Sequence, residues 1–201
     1  MEEELLVKSA EMFLQYGFKT VTMDDIAQEM GISKKTIYKH FPNKESLVEA
    51  STLEVQKQIE VLIHHTMDLG LNAIEENFAI KKIFKNMFKR AKTSPMYQLK
   101  KYYPKTWTKL MENEFCTFEN CVVDNLERGV SDGLYRKELD PRMIMQFYFT
   151  LVFGTYEKGT REMSMEEMLH TEMCILEYHT RAIATPKGVQ ILEEQLLQYQ
   201  S

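Results

Sequence analysis

The chain has 201 residues, with 25 lysines and arginines against 30 aspartates and glutamates, so its formal net charge at pH 7 is −5. This length suits one moderate domain, or a small domain joined to a larger one, and either can bury a core without disulfide or metal staples. Three cysteines, an N-terminus without a secretory pattern and the lack of about 18 consecutive apolar residues predict a reduced, cytoplasmic protein rather than a secreted or membrane-spanning one.

Composition and apolar spacing predict an all-α fold. The chain has only 8 glycines and 5 prolines, against many Leu, Met, Glu, Lys and Gln residues that favour helices. Apolar residues recur at three and four positions, as at Leu6, Ala10 and Phe13 and again between 80 and 91. No convincing run of alternating apolar and polar residues competes with this helical period.

Start and stop signals divide the first fifty residues into short helices. The first helix ends at Gly17, since glycine most easily adopts the left-handed geometry of a helix C-terminus. A capping box from Thr22 to Asp25 opens the second helix, and Gly31 ends it.

The third helix follows a tight turn. Ser33 caps it, it runs from Lys34 to about His40, and Pro42 ends it because proline disfavours helical geometry in the residue before it. Asn43 then caps a longer fourth helix. Two helices around a tight turn, with the first helix as support, predict a helix-turn-helix unit.

The segment from 31 to 47 concentrates positive charge in an acidic chain, with four lysines and one acid. In a helix-turn-helix the helix after the turn lies in the DNA major groove, and lysines around it neutralise phosphates. Ile37 and Phe41 are the apolar residues left to hold that helix on the core. Its remaining face predicts a DNA-binding surface made of Lys34, Lys35, Thr36, Tyr38 and Lys39.

These residues also have simpler structural interpretations. A run of lysines usually forms a solvated helix face, and Tyr38 and Phe41 could serve only in packing. For Phe41 we prefer packing. For the lysines, the capping pattern and the tight turn around them favour DNA binding.

Several of these positions together resemble a known family. The pattern is Ala10-x-x-Phe13-x-x-x-Gly17, then Thr22-x-x-x-Ile26-Ala27-x-x-x-Gly31-Ile32-Ser33-x-x-Thr36-Ile37-Tyr38-x-His40-Phe41-x-Asn43-Lys44-x-x-Leu47. Over about the first fifty residues it resembles the DNA-binding domain of the TetR family of bacterial transcriptional regulators. The resemblance implies an all-helical homodimer, usually a repressor, which a small molecule bound in the C-terminal domain releases from an inverted-repeat operator. It divides the chain into a helix-turn-helix DNA-binding domain, 1–48, and a helical ligand-binding and dimerisation domain, 49–201.

The resemblance also carries residue roles. It assigns Thr36, Tyr38 and His40 to DNA contact and Lys44 to a phosphate, and it makes Thr22 a cap that can also reach the DNA backbone. The predicted DNA-binding set is Thr22, Lys34, Lys35, Thr36, Tyr38, Lys39, His40 and Lys44.

Two late helices are predicted from their caps. Asp140 and Pro141 begin one, and a capping box from Ser164 to Glu167 begins the other. They resemble the pair that forms the four-helix dimer interface in this family, although their apolar stripes could equally close the protomer's own core. The predicted interface residues are Ile144, Phe147, Leu151, Gly154, Leu169, Met173 and Leu176.

A further amphipathic segment follows the break at 186–188. Leu192, Leu196 and Tyr199 recur at helical spacing and predict an extra C-terminal helix near 188–200. A helix of only about a dozen residues is marginal alone in water. We therefore expect it to dock on the protomer or on its dimer partner.

A ligand pocket in the helical domain should be largely apolar with a few polar groups. The 14 methionines would suit an adaptable pocket, and equally an adaptable core. The effector stays unidentified and is either apolar or anionic. The candidate pocket residues, each of which could instead belong to ordinary core, are Trp107, Met111, Phe115, Phe118, Tyr148 and Phe149.

A second basic stretch runs from Lys81 to Lys109, with ten basic residues and no acid. Lys82, Lys85 and Lys89 are expected to form the solvated face of a helix. The alternative for the stretch is an anion-attracting wall near the ligand site, since aromatic residues interleave with the lysines.

Catalytic and metal-binding motifs are not found. Cys116 and Cys121 are five apart, and the sequence contains no Cys-x-x-Cys, His-Glu-x-x-His, Gly-rich phosphate loop or Gly-x-Ser-x-Gly turn. We predict no enzymatic activity, no cofactor and no metal. Two alternatives to a ligand-responsive DNA-binding repressor stay open: a regulator of the same fold that acts only through protein contacts, and a small helical enzyme.

Overall fold

Helices make up most of the described chain. The computed structural model describes residues 1–91, 94–158 and 164–200, apart from the side chains of 114–117, 156–158 and 200. Within these ranges no helix has both the length and the apolarity that crossing a membrane requires. The helices are α1 (Glu2–Tyr16), α2 (Met23–Glu29), α3 (Lys34–His40), α4 (Lys44–Met67), α5 (Ala73–Phe88), α6 (Pro95–Tyr102), α7 (Pro104–Ser131), α8 (Pro141–Lys158), α9 (Met165–Ile183) and α10 (Pro186–Gln200). The predicted all-α fold is confirmed.

Short polar side chains set the starts of α2, α3 and α4, as the sequence predicts. Thr22 and Asp25 form a capping box, in which Thr22 Oγ1 accepts a hydrogen bond from the Asp25 N–H at 3.1 Å. Ser33 Oγ accepts from the Thr36 N–H at 3.1 Å, and Asn43 caps α4 in the same way. These bonds satisfy N–H groups that the first turn of a helix leaves without partners.

The two glycines that close the first helices differ in geometry. Gly31 has φ 64°, the left-handed conformation that glycine adopts without steric cost. Gly17 has φ 94° and ψ 145°, so the prediction of a left-handed helical cap is wrong there. A Cβ at Gly17 would lie 2.8 Å from Gln98 Oε1, so this position needs glycine for space as well as for its positive φ.

The core of the four N-terminal helices is shared with α6 and with the start of α7. Leu99 on α6 is 2 % exposed and Trp107 on α7 is 7 % exposed, and both lie in the same apolar cluster as the N-terminal helices. The helix-turn-helix unit is therefore packed directly onto the body of the protein. The buried N-terminal members at the centre of this cluster are Leu5, Phe13, Ile26, Ile37 and Leu47.

The C-terminal helix α10 docks on α5 and α9 of the same protomer. Leu192 is fully buried, and the Tyr199 ring meets the edge of Phe78 with centroids 6.2 Å apart. Arg181 on α9 pairs with Glu193 at 3.3 Å. Tertiary packing of one apolar face thus supports a helix that would be marginal by itself.

Replacing Leu192 by alanine tests this docking. Because the side chain is fully buried, we expect Leu192→Ala to lower the free energy of unfolding by about 2–5 kcal/mol in urea titrations at matched protomer concentration. Leu197→Ala is the matched control, since Leu197 on the same helix is 72 % exposed and should cost less than about 0.5 kcal/mol. Equal effects of the two changes would contradict the docking of α10.

Candidate DNA-binding surface and ligand cavity

The recognition helix α3 is held at both ends and along one side. Ser33 caps its start, where its hydroxyl also lies 2.8 Å from Thr36 Oγ1. Ile37 is fully buried and Phe41 is 7 % exposed, which confirms the packing role expected for Phe41. Because these apolar residues fix one side of the helix, the opposite side faces solvent, and Tyr38 there is 44 % exposed.

The three lysines of α3 differ in their surroundings. Lys34 Nζ lies 2.7 Å from Asp24 Oδ2, and this hydrogen bond raises the pKa of the lysine. Lys35 and Lys39 are exposed, and no described carboxylate lies within 4 Å of either. The positive charge available to a DNA backbone on α3 is therefore concentrated at Lys35 and Lys39.

Two further predicted DNA contacts have partners within the protein. His40 Nδ1 lies 3.2 Å from Glu2 Oε2, which joins the end of α3 to the start of α1. Lys44 is half-buried, and its Nζ donates a hydrogen bond to the Lys19 carbonyl at 3.3 Å and lies 5.9 Å from the centroid of Phe13. Desolvation lowers the pKa of Lys44.

Thr22 is also engaged in the structure. Its N–H and its hydroxyl both donate to Asp25 Oδ2 at 2.8 Å, and these bonds lower the pKa of the carboxyl. The residue is exposed, so it caps α2 at the surface.

A buried hydrogen bond joins α6 to the DNA-binding helices. The Phe18 N–H donates to Gln98 Oε1 at 2.8 Å, and the Tyr103 hydroxyl donates to the Phe18 carbonyl at 3.5 Å. Beside this contact lies a water-sized cavity of about 30 Å³ between α1, α4, α6 and α7, whose wall includes the buried Ser51. The Ser51 hydroxyl has no hydrogen-bond partner among the described residues. This contact region between α6 and the DNA-binding helices, here called the joint, is therefore not fully packed.

A larger cavity of about 140 Å³ lies in the body of the protein, with walls from α4 to α9. Of the six residues predicted for a ligand pocket, Phe118, Tyr148 and Phe149 line this cavity. Trp107 and Met111 do not: both belong to the N-terminal cluster, because the first turns of α7 pack against the DNA-binding helices. The predicted role of Phe115 lies outside the described side chains.

One end of this cavity carries a buried ion pair. Lys81 Nζ on α5 lies 3.0 Å from Glu172 Oε2 on α9, and both side chains are buried, with 12 % and 8 % of their surface exposed. Desolvation alone would lower the pKa of Lys81, but the Glu172 carboxylate and a hydrogen bond with Tyr148 raise it above its ordinary value. Lys81 is therefore protonated, and the Glu172 carboxylate compensates its positive charge.

A second buried carboxylate lies at the cavity wall. Glu76 is 1 % exposed, and it accepts a hydrogen bond from Asn125 at 2.7 Å and pairs with Arg128 at 2.5 Å. Sequence reasoning missed Glu76, Asn125 and Glu172, since nothing in their spacing marks a site. Lys81 was noted only as part of a basic stretch.

The basic stretch does not form a wall of free positive charge around the cavity. Of its described members only Lys81 lines the cavity, and Glu172 neutralises it. Lys82, Lys85 and Lys89 are exposed, as expected for a solvated helix face. Lys92 lies outside the described residues.

Helices α8 and α9 present an apolar face to solvent. On α8, Met143 is 50 %, Phe147 56 % and Leu151 36 % exposed, and on α9 Tyr178 is 67 % exposed. Phe147, Leu151 and Tyr178 border a surface groove that Ile144 also lines. A monomer rarely exposes so many large apolar side chains together, so this face is a candidate interface.

The predicted interface residues divide between this face and the interior. Ile144, Phe147 and Leu151 border the groove, and a Cβ at Gly154 would meet no atom within 4 Å. The expectation for α9 is corrected, because its apolar stripe turns inward to the protomer's own core. Leu176 is 2 % exposed, and Leu169 and Met173 are partly buried against the internal clusters.

Comparison with known proteins extends these observations. Residues 5–51 match the family model of bacterial regulatory proteins of the tetR family. The chain is 28 % identical over 159 residues to the transcriptional repressor KstR2 of Mycolicibacterium smegmatis, covering 72 % of each chain. Residues 5–51 therefore form a DNA-binding domain of the TetR family. Together with the repressor similarity, this supports a TetR-family transcriptional regulator with a DNA-binding helix-turn-helix. TetR-family regulators are commonly repressors that act as dimers on operator DNA with small-molecule effectors.

Other relatives agree with this assignment and with the fold. The transcriptional regulator YvaF of Bacillus subtilis is 25 % identical over 160 residues, covering 78 % of this chain and 82 % of its own. A crystal structure of a transcriptional regulator from Cytophaga hutchinsonii superposes with a TM-score of 0.75 at 17 % identity, over 92 % of this chain and 98 % of that one. Both of these proteins are named as transcriptional regulators, and neither is named as an enzyme. In the described part of the chain, no three His, Cys, Asp or Glu side chains are grouped as metal ligands.

His179, in the groove beside α8, makes stability depend on pH. Its ring lies 4.8 Å from that of Tyr148, and burial lowers its pKa to about 4. Since an unfolded histidine titrates near pH 6.5, the unfolded chain binds a proton between about pH 6.5 and 4 that the folded chain excludes. The stability contributed by neutral His179 is therefore complete above about pH 6.5 and falls, by up to about 3 kcal/mol, as the pH decreases to 4.

Replacing His179 with phenylalanine tests this linkage. His179→Phe keeps a ring beside Tyr148 and should lose less unfolding free energy than the wild type between pH 7 and pH 4.5, measured by urea titration at each pH. His65→Phe, at an exposed position on α4, should retain the wild-type profile. Parallel pH profiles of wild type and His179→Phe would refute the assignment.

Proposed function

We propose that this regulator is a cytoplasmic repressor, and that a small molecule bound in the 140 Å³ cavity releases it from an inverted-repeat operator. The main support for the proposal is that this cavity and a second, smaller one share part of their lining. Phe88 and Met96 line both this cavity and the small cavity at the joint with the DNA-binding helices. A molecule that displaces these two side chains therefore acts directly on the joint.

The route from cavity to DNA runs through α6 in this proposal. Met96 lies two residues before Gln98, whose side chain receives the Phe18 N–H. A shift of α6 would move the bonded backbone at Phe18, and α1 and α4 pack on each other around the same joint. The water-sized space beside Ser51 supplies room for that movement. A ligand drives release only if it binds the released arrangement more tightly.

On the DNA side, α3 is proposed to enter the major groove. Tyr38 and Thr36 would reach base edges, while Lys35 and Lys39 would neutralise phosphates. His40 and Lys44 would contact DNA only by leaving or sharing their present partners, Glu2 and the Lys19 carbonyl. We therefore assign the main electrostatic contribution to Lys35 and Lys39.

The α8–α9 face is proposed as the dimer interface. Two copies on a two-fold axis would bury Phe147, Leu151 and Tyr178 against each other and place two recognition helices on one side. Their half-sites should lie roughly 34–36 Å apart, or a multiple of that. Binding of two protomers, or a multiple of two, to genomic fragments that the purified protein selects would support the proposal. Binding no stronger than to unrelated duplex would refute it.

The lysines of α3 allow a matched test of the DNA surface. Lys39→Ala should weaken binding to all duplexes and reduce the slope of log affinity against log salt by about one. The reason is that a phosphate loses contact with a lysine that has no carboxylate partner among the described residues. Lys34→Ala is the control, since Asp24 already offsets the charge of Lys34, and it should change the slope by less. Fluorescence anisotropy with a selected operator measures both. If Lys34→Ala reduced the salt slope more than Lys39→Ala, Lys34 rather than Lys39 would contact the phosphate.

A charge placed on the α8–α9 face should separate the protomers. Phe147→Asp should raise the dimer dissociation constant by about a hundredfold or more, since burying an unpaired carboxylate costs several kcal/mol. Leu197→Asp, on the exposed side of α10, should leave it unchanged. Sedimentation equilibrium gives both constants. An intact Phe147→Asp dimer would show that the protomers meet elsewhere.

A further inference from the structure

We propose that the cavity selects a neutral, mostly apolar small molecule with one hydrogen-bonding oxygen directed at the Lys81–Glu172 pair. This inference rests on the ligand-released regulator proposed above, and it specifies the chemical class of the effector. It replaces the anionic effector that the basic stretch suggested.

The charges at the cavity wall are already compensated. Of the described residues that line it, Glu76, Lys81 and Glu172 are charged. Lys81 pairs with Glu172 at 3.0 Å, and Glu76 pairs with Arg128 at 2.5 Å. The lining therefore offers two carboxylates and one ammonium, all satisfied before any ligand enters.

A charged ligand would disturb this balance. A carboxylate beside Lys81 would lie next to the Glu172 carboxylate, and the two like charges would repel in a site of low dielectric. A cationic ligand would compete with Lys81 and Arg128 for carboxylates that are already paired. In either case the ligand loses its hydration without gaining a free counter-charge.

A neutral oxygen, in contrast, fits the polar end of the cavity. The Lys81 ammonium has three N–H donors, and Glu172 and Tyr148 engage two of them. The third can donate to an alcohol or carbonyl oxygen without breaking the pair. The rest of the ligand would lie against apolar walls such as Phe84, Phe118 and Phe149.

The volume fixes the size of suitable probes. An apolar cavity of roughly 150 Å³ accommodates benzene, so a cavity of about 140 Å³ suits a single substituted ring. Toluene, benzyl alcohol, benzoate and benzylammonium share one ring and differ only in the polar group. We expect the wild type, in ligand-observed NMR titrations at pH 7, to bind benzyl alcohol at least about tenfold more tightly than benzoate or benzylammonium, and more tightly than toluene.

Removing one charge of the pair should change this selectivity in a predictable direction. Glu172→Gln leaves Lys81 without its carboxylate, so benzoate should bind at least about tenfold more tightly than it binds the wild type. Misfolding of the Glu172→Gln variant would not increase its affinity for benzoate. Lys82→Met is the matched control, because Lys82 is exposed, adjacent in sequence and absent from the cavity wall, and it should keep the wild-type order.

The outcomes distinguish this inference from the proposed function. Preference of the wild type for benzoate or benzylammonium, failure of all four probes to bind, or no gain of benzoate binding in Glu172→Gln would each overturn the neutral-ligand assignment, whatever the protein does with DNA. If the wild type did not bind an operator, or if no ligand released it, the repressor proposal would be refuted. The measured order of probe affinities would still hold.

Discussion

The hydrogen bond from the Phe18 N–H to Gln98 Oε1 ties the DNA-binding helices to the body of the protein. It is buried, so breaking it would leave the Phe18 N–H unsatisfied in an apolar environment. Gly17 makes room for the Gln98 carboxamide, because any side chain there would collide with it. Leu99 and Trp107 extend the N-terminal core on either side of this bond. Any reorientation of the DNA-binding helices relative to α6 would therefore break this bond and disturb the shared core.

The interior of the body combines apolar walls with paired charges. Glu76 on α5 is linked to Arg128 on α7, and Lys81 on α5 is linked to Glu172 on α9. Glu76 and Glu172 are buried, and a buried carboxylate that loses its cation is costly, so these pairs fix which helices lie side by side. The space between these helices lies beside the pairs, since Glu76, Lys81 and Glu172 all line it. A cavity persists there although protein interiors are usually close-packed.

The sequence predicted local features well and long-range ones poorly. Thr22, Ser33 and Asn43 act as caps through bonds to residues three positions away, so their roles can be recognised in a short segment. The family resemblance draws on the same local signals. Lys81 and Glu172, in contrast, are 91 positions apart, and no periodicity shows that they meet.

Two residues of the helical body lie elsewhere than the sequence predicted, for the same physical reason. Periodicity placed Leu176 on an apolar stripe of α9, but it does not show whether the stripe faces the protomer's core or a partner, and the residue is buried inside. Trp107 has the size and type of a pocket residue, yet the first turns of α7 direct it to the N-terminal cluster. In both cases the answer depends on neighbouring helices, which come from distant parts of the chain.

Charge is divided so that an acidic chain can still approach DNA selectively. Asp24 and Glu2 lie beside the recognition helix and engage Lys34 and His40, which leaves Lys35 and Lys39 as the lysines of α3 without a carboxylate within 4 Å among the described residues. Affinity that arises only from phosphate neutralisation grows with the number of free cations, and it does not distinguish sequences. With few such cations and a net charge of −5, we expect weak non-specific attraction to DNA. In the proposed complex, base contacts by side chains such as Tyr38 would then account for a larger share of the binding energy.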